Sequence, residues 1–388
     1  MMVDRGTLQG GFGAPVVVAA DVREFAYLHV ALAASGTAYV VWSNGDGKTT
    51  VSAAAPGEPF SPPRQLLPPR TNLVGLLQGS TGPVVVVWQS SLTSRSPPLL
   101  HYARLLGNGG LGQVVTVGRI ARAHVAVNDR GEFAAVGVTN NGFPGLGPTR
   151  PVVALCNEVE RCSKPRAIRV GEIGIADEAV EDGLTLSDNG TLTVFAMSVE
   201  NKHECRRVSH CAGLWSEVRR PGGRWLGPHE LSPTAGGWEL DTISDGAEAA
   251  LALYSRTATY RIAGRWSAME ADGARITRPA PVDAPAGYQG PRGIEEPQLA
   301  ADDNGQFAAA WCTVAHSEIR SDGVATPCSR VTAAVGHDDH LETAQLISAG
   351  GEEPLEDEIR DGMDAVGEVA VIWSGSPGIS IAVYHPPT

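Results

Sequence analysis

The chain has 388 residues, of which 43% are hydrophobic, and its formal net charge is −13. Its longest apolar runs, PVVVAA at 15–20 and PVVVVW at 83–88, have the length of single β-strands, and none reaches the 18 or more residues typical of a membrane-spanning helix. The acidic balance argues against nucleic acid as a partner, because nucleic-acid binding favours a basic surface.

The N-terminal stretch TLQGGFGAPVVVAADV (7–22) predicts a turn followed by a single strand. From residue 29 onward the chain repeats one pattern, in which a glycine is followed six residues later by a tryptophan, with mainly small or β-branched residues between them. The complete copies are GTAYVVW (36–42), GPVVVVW (82–88), GQFAAAW (305–311) and GEVAVIW (367–373). The degraded copies are GEFAAVG (131–137), GTLTVFA (190–196) and GAEAALALY (246–254). Recurrence at intervals of roughly 50 residues indicates a repeat architecture.

Each repeat predicts four short antiparallel strands, A to D. Strand A is an apolar stretch such as HVALAA (29–34) or PQLAA (297–301), and a turn such as DDNG, SDNG or NDRG leads to strand B, which contains the repeated pattern. These Asn, Asp and Gly residues tolerate the left-handed backbone of a tight hairpin. Strand C is predicted in TTVSAAA (49–55), LLHYARLL (99–106), LWSEVRR (214–220) and SRVTAAV (329–335), and strand D ends in phrases such as RQLLPP, HELSPT and AQLISAG. Four antiparallel strands per repeat are typical of a β-propeller blade.

The two ends of the chain complement each other. The last repeat predicts strands A to C only, whereas residues 7–28 supply one outer strand and a connection without the other three strands. Pairing the N-terminal strand with the last three would close a ring and remove its free sheet edges. The prediction is therefore an all-β fold, with residues 1–388 forming one seven-bladed β-propeller domain. The predicted blades span about 29–70, 71–118, 119–171, 180–234, 238–286, 296–349 and, for the closing blade, 357–388.

On these repeats the chain resembles seven-bladed β-propellers, most closely the secreted sialidase-like and WD40-like kinds. The resemblance covers essentially the whole chain and implies the propeller fold. No WD dipeptide closes the blades. The DNG…W pieces are similar to the Asp-box of sialidases, but they fall between strands A and B, whereas that family places the box between strands C and D. Function therefore does not transfer with the fold.

The six cysteines form three pairs that are close in sequence, each within one repeat. The predicted disulfides are Cys156 with Cys162, Cys205 with Cys211, and Cys312 with Cys328. Sequence proximity favours this local pairing over the other possible connectivities. The C-x2-C spacing of a zinc site is absent from the chain. Because disulfides persist in oxidising compartments, the cysteines predict a secreted or cell-envelope location.

In the predicted propeller, the loops from B to C and from D to the next A share one face, where the sequence varies most. We expect ligand-binding residues on this face. The basic and aromatic candidates, in B-to-C loops, are Arg206, His210, Arg256, Tyr260, Arg261, His316 and Arg320. The acidic candidates, in D-to-A connections, are Glu295, Glu296 and Glu358. Arginine can bind carboxylate, sulfate or phosphate through two parallel hydrogen bonds. The alternative interpretation is a set of exposed charges that pair weakly, but the loop lengths favour recognition.

Two functions remain open. The chain contains no Walker loop, H-E-x-x-H motif or G-x-S-x-G elbow, so we predict no cofactor, metal ligand or catalytic residue from motifs. The favoured interpretation is a non-enzymatic binding module that recognises a glycan, a peptide or a surface protein. The alternative is a propeller glycoside hydrolase or lyase acting on an acidic sugar, with Glu295 or Glu296 paired with Glu358. Such catalysis needs a carboxyl group desolvated enough to stay protonated. These residues lie in acidic clusters expected to be exposed, which favours binding.

Overall fold

The computed structural model describes twenty-five segments of the chain, and all regular elements within them are β-strands. This part of the chain is therefore all-β, as predicted, and it holds no helix long and apolar enough to cross a membrane. The described residues are 2–3, 6–7, 11–12, 16–17, 25–44, 48–69, 71–78, 82–90, 98–139, 151–168, 181–198, 213–232, 240–244, 250–256, 259–270, 273–276, 280–281, 293–301, 306–314, 330–337, 340–341, 345–346, 353–363, 369–376 and 378–384.

Four short strands near the N-terminus pair with one another. Strand β1 (Met2–Val3) is antiparallel to β4 (Val16–Val17), and β2 (Gly6–Thr7) is antiparallel to β3 (Gly11–Phe12). The strand predicted within residues 7–22 is thus present as β4. Its pairing with the last repeat stays a prediction.

Four consecutive sheets, numbered one to four, each contain four antiparallel strands in chain order. The first contains β5 (Phe25–Leu32), β6 (Ala38–Asn44), β7 (Thr49–Ala54) and β8 (Arg64–Gln65). The second contains β9 (Thr71–Gln78), β10 (Val84–Ser90), β11 (Leu99–Arg104) and β12 (Val115–Arg119). The third contains β13 (Ala121–Val127), β14 (Phe133–Val138), β15 (Pro151–Cys156) and β16 (Arg166–Ala167). The fourth contains β17 (Glu181–Leu186), β18 (Leu192–Ser198), β19 (Gly213–Arg219) and β20 (Trp225–Ser232).

Three further sheets follow. The fifth contains β21 (Leu240–Ser244), β22 (Ala250–Arg256), β23 (Thr259–Glu270), β24 (Gly273–Ile276) and β25 (Ala280–Pro281). The sixth contains β26 (Gly293–Ala301), β27 (Gln306–Val314), β28 (Arg330–His337), β29 (His340–Leu341) and β30 (Gln345–Leu346). The seventh contains β31 (Glu353–Met363), β32 (Val369–Ser376) and β33 (Gly378–Tyr384). Each of the seven repeats thus corresponds to one sheet, with the repeated pattern on its second strand.

The turns between first and second strands explain the glycine that opens the first, third and fourth repeats. Gly36, Gly131 and Gly190 have φ angles of +77°, +78° and +87°. Their amides donate to the carbonyl three residues earlier, at 2.7, 2.9 and 2.9 Å. A side chain in this left-handed region would be strained, so glycine is favoured. The predicted tight hairpins are confirmed at these three turns.

The chain is divided into two compact units. The first comprises residues 1–141 and 152–166, and the second comprises residues 142–151 and 167–388. Within the first unit, β9 packs beside both β5 and β13. Within the second, β21 packs beside β17 and β26, and β26 packs beside β31. In each unit, consecutive sheets therefore meet through their first strands, as consecutive propeller blades do.

Strand β10 shows why one repeat contains an unbroken run of valines. Val84, Val86 and Trp88 pack in one cluster with the first sheet. Val85 and Val87 pack in a second cluster with the third sheet. Because both faces of the strand are buried, it shows no polar alternation.

The repeated tryptophans that the structure describes with their side chains are buried. Trp42 and Trp88 are each 4% exposed and Trp311 is 1% exposed, so these three tryptophans are core residues. The third repeat has Gly137 at this position.

Candidate functional site

We call the end of each sheet where the second strand leads to the third its loop-bearing end, and the opposite end its hairpin end. The strand bounds place the longest second-to-third connections in the third, fourth and sixth sheets, at 139–150, 199–212 and 315–329. The corresponding connections in the first and fifth sheets are only residues 45–48 and 257–258. Residues 140–150, 199–212 and 315–329 lie outside the described residues, so the loops expected there stay a prediction.

The predicted basic residues divide into two groups. Arg206, His210, His316 and Arg320 lie outside the described residues. Arg256, Tyr260 and Arg261 were expected in a loop, and this was wrong. Arg256 ends β22, and the other two lie in β23, where Tyr260 pairs with Ser255 and Arg261 pairs with Tyr254. The β-branched and aromatic residues Thr259, Tyr260 and Ile262 suit a strand, and β23 begins at Thr259.

The predicted acidic residues are also on strands and not in connections. Glu295 and Glu296 lie in β26, and Glu358 lies in β31. Both strands are the first of their sheets, and both are irregular at this point. The register of β26 shifts between Glu295 and Gln298, and that of β31 shifts between Pro354 and Ile359. The carboxylates therefore lie at or within β-bulges, near the loop-bearing ends of their sheets.

Such register shifts recur on first strands. They also interrupt β5 between Phe25 and Tyr27, β9 where it faces Val87 and Trp88, and β13 between Ala121 and His124. In each sheet the shift lies close to the position of the repeated tryptophan or its replacement. A bulge bends the strand and redirects its side chains, and bulges are common beside binding sites. First-strand bulges are therefore present in five of the seven sheets, and the three acidic candidates lie at two of them.

A polar network at the loop-bearing end of the second sheet was not predicted. His101 stacks on Trp88, with 5.6 Å between ring centroids and 23° between planes. His101 Nδ1 lies 3.0 Å from Thr116 Oγ1, and Nε2 lies 3.3 Å from Ser90 Oγ. Trp88, His101 and Thr116 form one row across the sheet because they pair directly in register. These residues are neighbours because of the strand register. The register cannot be read from the sequence, so the network could not be predicted.

The proton arrangement in this network follows from its acceptors. Ser90 Oγ donates to the carbonyl oxygen of Leu99 at 3.4 Å. Ser90 can then accept from His101 Nε2–H, while Thr116 donates its hydroxyl proton to Nδ1. This arrangement uses a neutral imidazole, and burial lowers the pKa of His101 below its ordinary value. The network holds His101 in a fixed orientation.

At the hairpin end of the third sheet, one predicted disulfide is present. Cys156 is bonded to Cys162, with 3.9 Å between the two Cα atoms. The turn that it encloses is held from the second sheet by Arg104, whose Nε lies 3.3 Å from Glu160 Oε1 and whose Nη2 donates to Glu158 O at 3.0 Å. Of the other cysteines, Cys312 lies in β27, and Cys205, Cys211 and Cys328 lie outside the described residues.

Comparison with known proteins gives a likeness in structure only. No family model matches the chain, and no curated protein matches it. The BP39L lectin from Burkholderia pseudomallei superposes with a TM-score of 0.55 over 92% of this chain and 95% of the lectin, at 14% sequence identity. The Aleuria aurantia lectin gives a TM-score of 0.45 at 11% identity over 94% of this chain and 98% of the lectin. The tricorn protease gives 0.47 at 9% identity, over 92% of this chain and 34% of the protease. Of these three, the BP39L superposition is the one close enough to show a shared fold.

Proposed function

We propose that the protein is a non-enzymatic binding module that recognises a glycan through the loop-bearing ends of its sheets. In this proposal the seven sheets are the blades of one β-propeller, closed by the N-terminal strand pairing with β33. A peptide or a surface protein is the other class of ligand that such a face could bind.

The proposal rests on a structural difference between the hairpin ends and the loop-bearing ends of the sheets. At the hairpin end, the turns of the first, third and fourth sheets satisfy their own backbone groups around left-handed glycines. At the other end lie the first-strand bulges, and the strand bounds leave the intervals 139–150, 199–212 and 315–329 for the loops that the sequence predicts. Long connections on a rigid scaffold are where binding residues concentrate. The likeness of fold to the BP39L lectin supports a glycan as the ligand.

A secreted or cell-envelope location is part of the proposal. The Cys156–Cys162 disulfide supports it, because structural disulfides persist mainly in oxidising compartments. Peptide mapping without reduction should also join Cys205 to Cys211 and Cys312 to Cys328.

The experiment is a glycan array combined with a turnover screen on aryl glycosides, including a sialoside. We expect saturable binding without turnover. Alanine at Arg206, Arg256, Arg261 or Arg320 should weaken binding by about 1.5–3 kcal/mol where the residue makes a charge-assisted contact, and should change stability by only about 0.5 kcal/mol. As a control, Arg130→Ala alters an exposed arginine at the hairpin end of the third sheet, where it pairs with Glu132 at 2.9 Å. If affinity is lost in this control and in none of the four variants, the ligand binds at the hairpin end and the proposal is wrong.

A second candidate function is glycoside hydrolysis or elimination on an acidic sugar. One observation favours it: β26 and β31 pack side by side, and the bulged segments of both contain carboxylates. Paired carboxylates are the catalytic groups of most glycoside hydrolases. Turnover of any aryl glycoside that is lost in both Glu296→Gln and Glu358→Gln would establish this function and exclude the non-enzymatic one.

A further inference from the structure

The segment 119–122 connects the second sheet to the third, and it has an exposed arginine at each end and two buried residues between them. Arg119 ends β12, and Arg122 is the second residue of β13. Between them, Ile120 and Ala121 are both 0% exposed. Gln89 Nε2 donates to the Ile120 carbonyl at 2.9 Å, which ties the link to the second sheet. The position of Arg122 is therefore fixed by the core beneath it.

The backbone of Arg122 is strained. Its φ angle is +49°, in the left-handed region that is unfavourable for a residue with a side chain. Ala121 pairs with Val138 and His124 pairs with Val136, so Arg122 and Ala123 both lie opposite Gly137 in a β-bulge. Strain of this kind persists only where the surrounding structure imposes it, and it is concentrated at binding sites.

Gly137 is what makes this bulge possible. A Cβ atom at this position would lie 2.5 Å from the Ala121 carbonyl oxygen and 3.1 Å from the Arg122 carbonyl oxygen. Both distances involve backbone atoms, so a side chain could fit only if the bulge moved. Four other repeats have tryptophan at the equivalent position. The third repeat therefore has glycine in place of a core tryptophan, and its bulge presents Arg122 at the surface.

We propose that Arg122 binds an oxyanion on a saccharide, either a carboxylate or a sulfate group. This inference rests on the proposed glycan-binding function and names the class of glycan. The Arg122 side chain is exposed, and no carboxylate of the described residues forms an ion pair with it. A guanidinium group can bind such an oxyanion through two parallel hydrogen bonds. The net charge of −13 opposes long polyanions such as nucleic acid, and so favours a ligand with few charges.

The test is calorimetric titration of the full chain with three matched probes: 3′-sialyllactose, 3′-sulfolactose and lactose. We expect one of the acidic probes to bind at least about tenfold more tightly than lactose, and the pair of acidic probes distinguishes carboxylate from sulfate. Arg122→Gly should abolish this preference without lowering the thermal midpoint, because glycine adopts the left-handed backbone without strain. Arg122→Lys keeps the charge but not the planar fork, and should retain only part of the preference. Arg130→Gln, at the hairpin end, should leave binding unchanged.

Failure of this inference is distinguishable from failure of the proposed function. An unchanged preference in Arg122→Gly would overturn the role of Arg122 and leave glycan binding intact. The same holds if lactose binds as tightly as both acidic probes, or if only a neutral glycan on the array binds. If the array and all three probes give no binding, both proposals fail. Tighter binding to single-stranded DNA than to either acidic sugar would also overturn the saccharide assignment.

Discussion

Replacing Gly131 with alanine should destabilise the protein about twice as much as replacing Gly57, although the two glycines have nearly the same backbone. Their φ angles are +78° and +76°. A Cβ atom on Gly57 would have no neighbour within 4 Å, whereas one on Gly131 would lie 2.8 Å from Arg104 Nη2. Left-handed alanine costs roughly 1–2 kcal/mol at either site, and a reduced entropy of the unfolded chain offsets part of this cost. We therefore expect about 1 kcal/mol for Gly57→Ala.

The additional cost at Gly131 comes from displacing Arg104. This side chain holds the turn of the third sheet through its contacts with Glu158 O at 3.0 Å and Glu160 Oε1 at 3.3 Å. Because the Arg104 side chain is 37% exposed, losing these contacts should cost only about 1 kcal/mol. The expected total for Gly131→Ala is thus about 2 kcal/mol.

Both glycine variants can be made in the wild-type and in the Arg104→Ala backgrounds and unfolded with urea. The four free energies of unfolding separate the cost of the left-handed alanine from the cost of displacing Arg104. In the Arg104→Ala background, Gly131→Ala should cost no more than Gly57→Ala, since the clashing group is absent. The coupling between positions 104 and 131 should therefore be about 1 kcal/mol. Equal effects of the two glycine variants in the wild-type background would show that Arg104 moves aside freely, and that its contacts do not stabilise the third sheet.

Three other predictions test separate parts of the fold. His101 has a pKa below its ordinary 6.5 in the folded protein, so its contribution to stability is complete above about pH 6.5 and is lost as pH falls toward the folded-state pKa. The difference in stability between wild type and His101→Gln, measured by thermal unfolding from pH 7.5 to 4.5, should therefore become smaller as the pH falls. A difference that stays constant over this range would contradict the prediction. Deleting residues 1–20 should lower the thermal midpoint and promote aggregation if the N-terminal strand closes the ring, and an unchanged midpoint would reject closure. Peptide mapping should find three local disulfides and no free thiol, whereas links between repeats would refute the predicted pairing.

The strands could be predicted because their determinants are local. A glycine that tolerates a left-handed turn and a run of apolar residues are both visible in the sequence, and β6, β10 and β27 lie on the repeated pattern. The Cys156–Cys162 disulfide was predictable for the same reason, since the two residues flank one turn.

The details of the candidate site could not be predicted because they depend on register. Nothing in LLHYARLL shows that His101 lies opposite Trp88 and Thr116, a relation set by pairing across three strands. The bulges at Glu296 and Arg122 change the count of paired residues by one, which leaves no periodic signal. The carboxylates were therefore assigned to connections when the structure has them on strands.

Departures from the repeat have local causes that a pattern search does not reveal. In the sixth sheet, Glu296 and Pro297 share the place opposite Trp311, and in the third sheet Arg122 and Ala123 share the place opposite Gly137. The two sheets thus have the same irregularity at residues of opposite charge. The third repeat reads as degraded because its tryptophan is missing, yet the glycine there is required by the carbonyl oxygens of Ala121 and Arg122. A position where the sequence rule fails while the packing remains tight is a strong candidate for a binding residue, and this is why the strained arginine, absent from the candidates taken from the sequence, is the first residue to test.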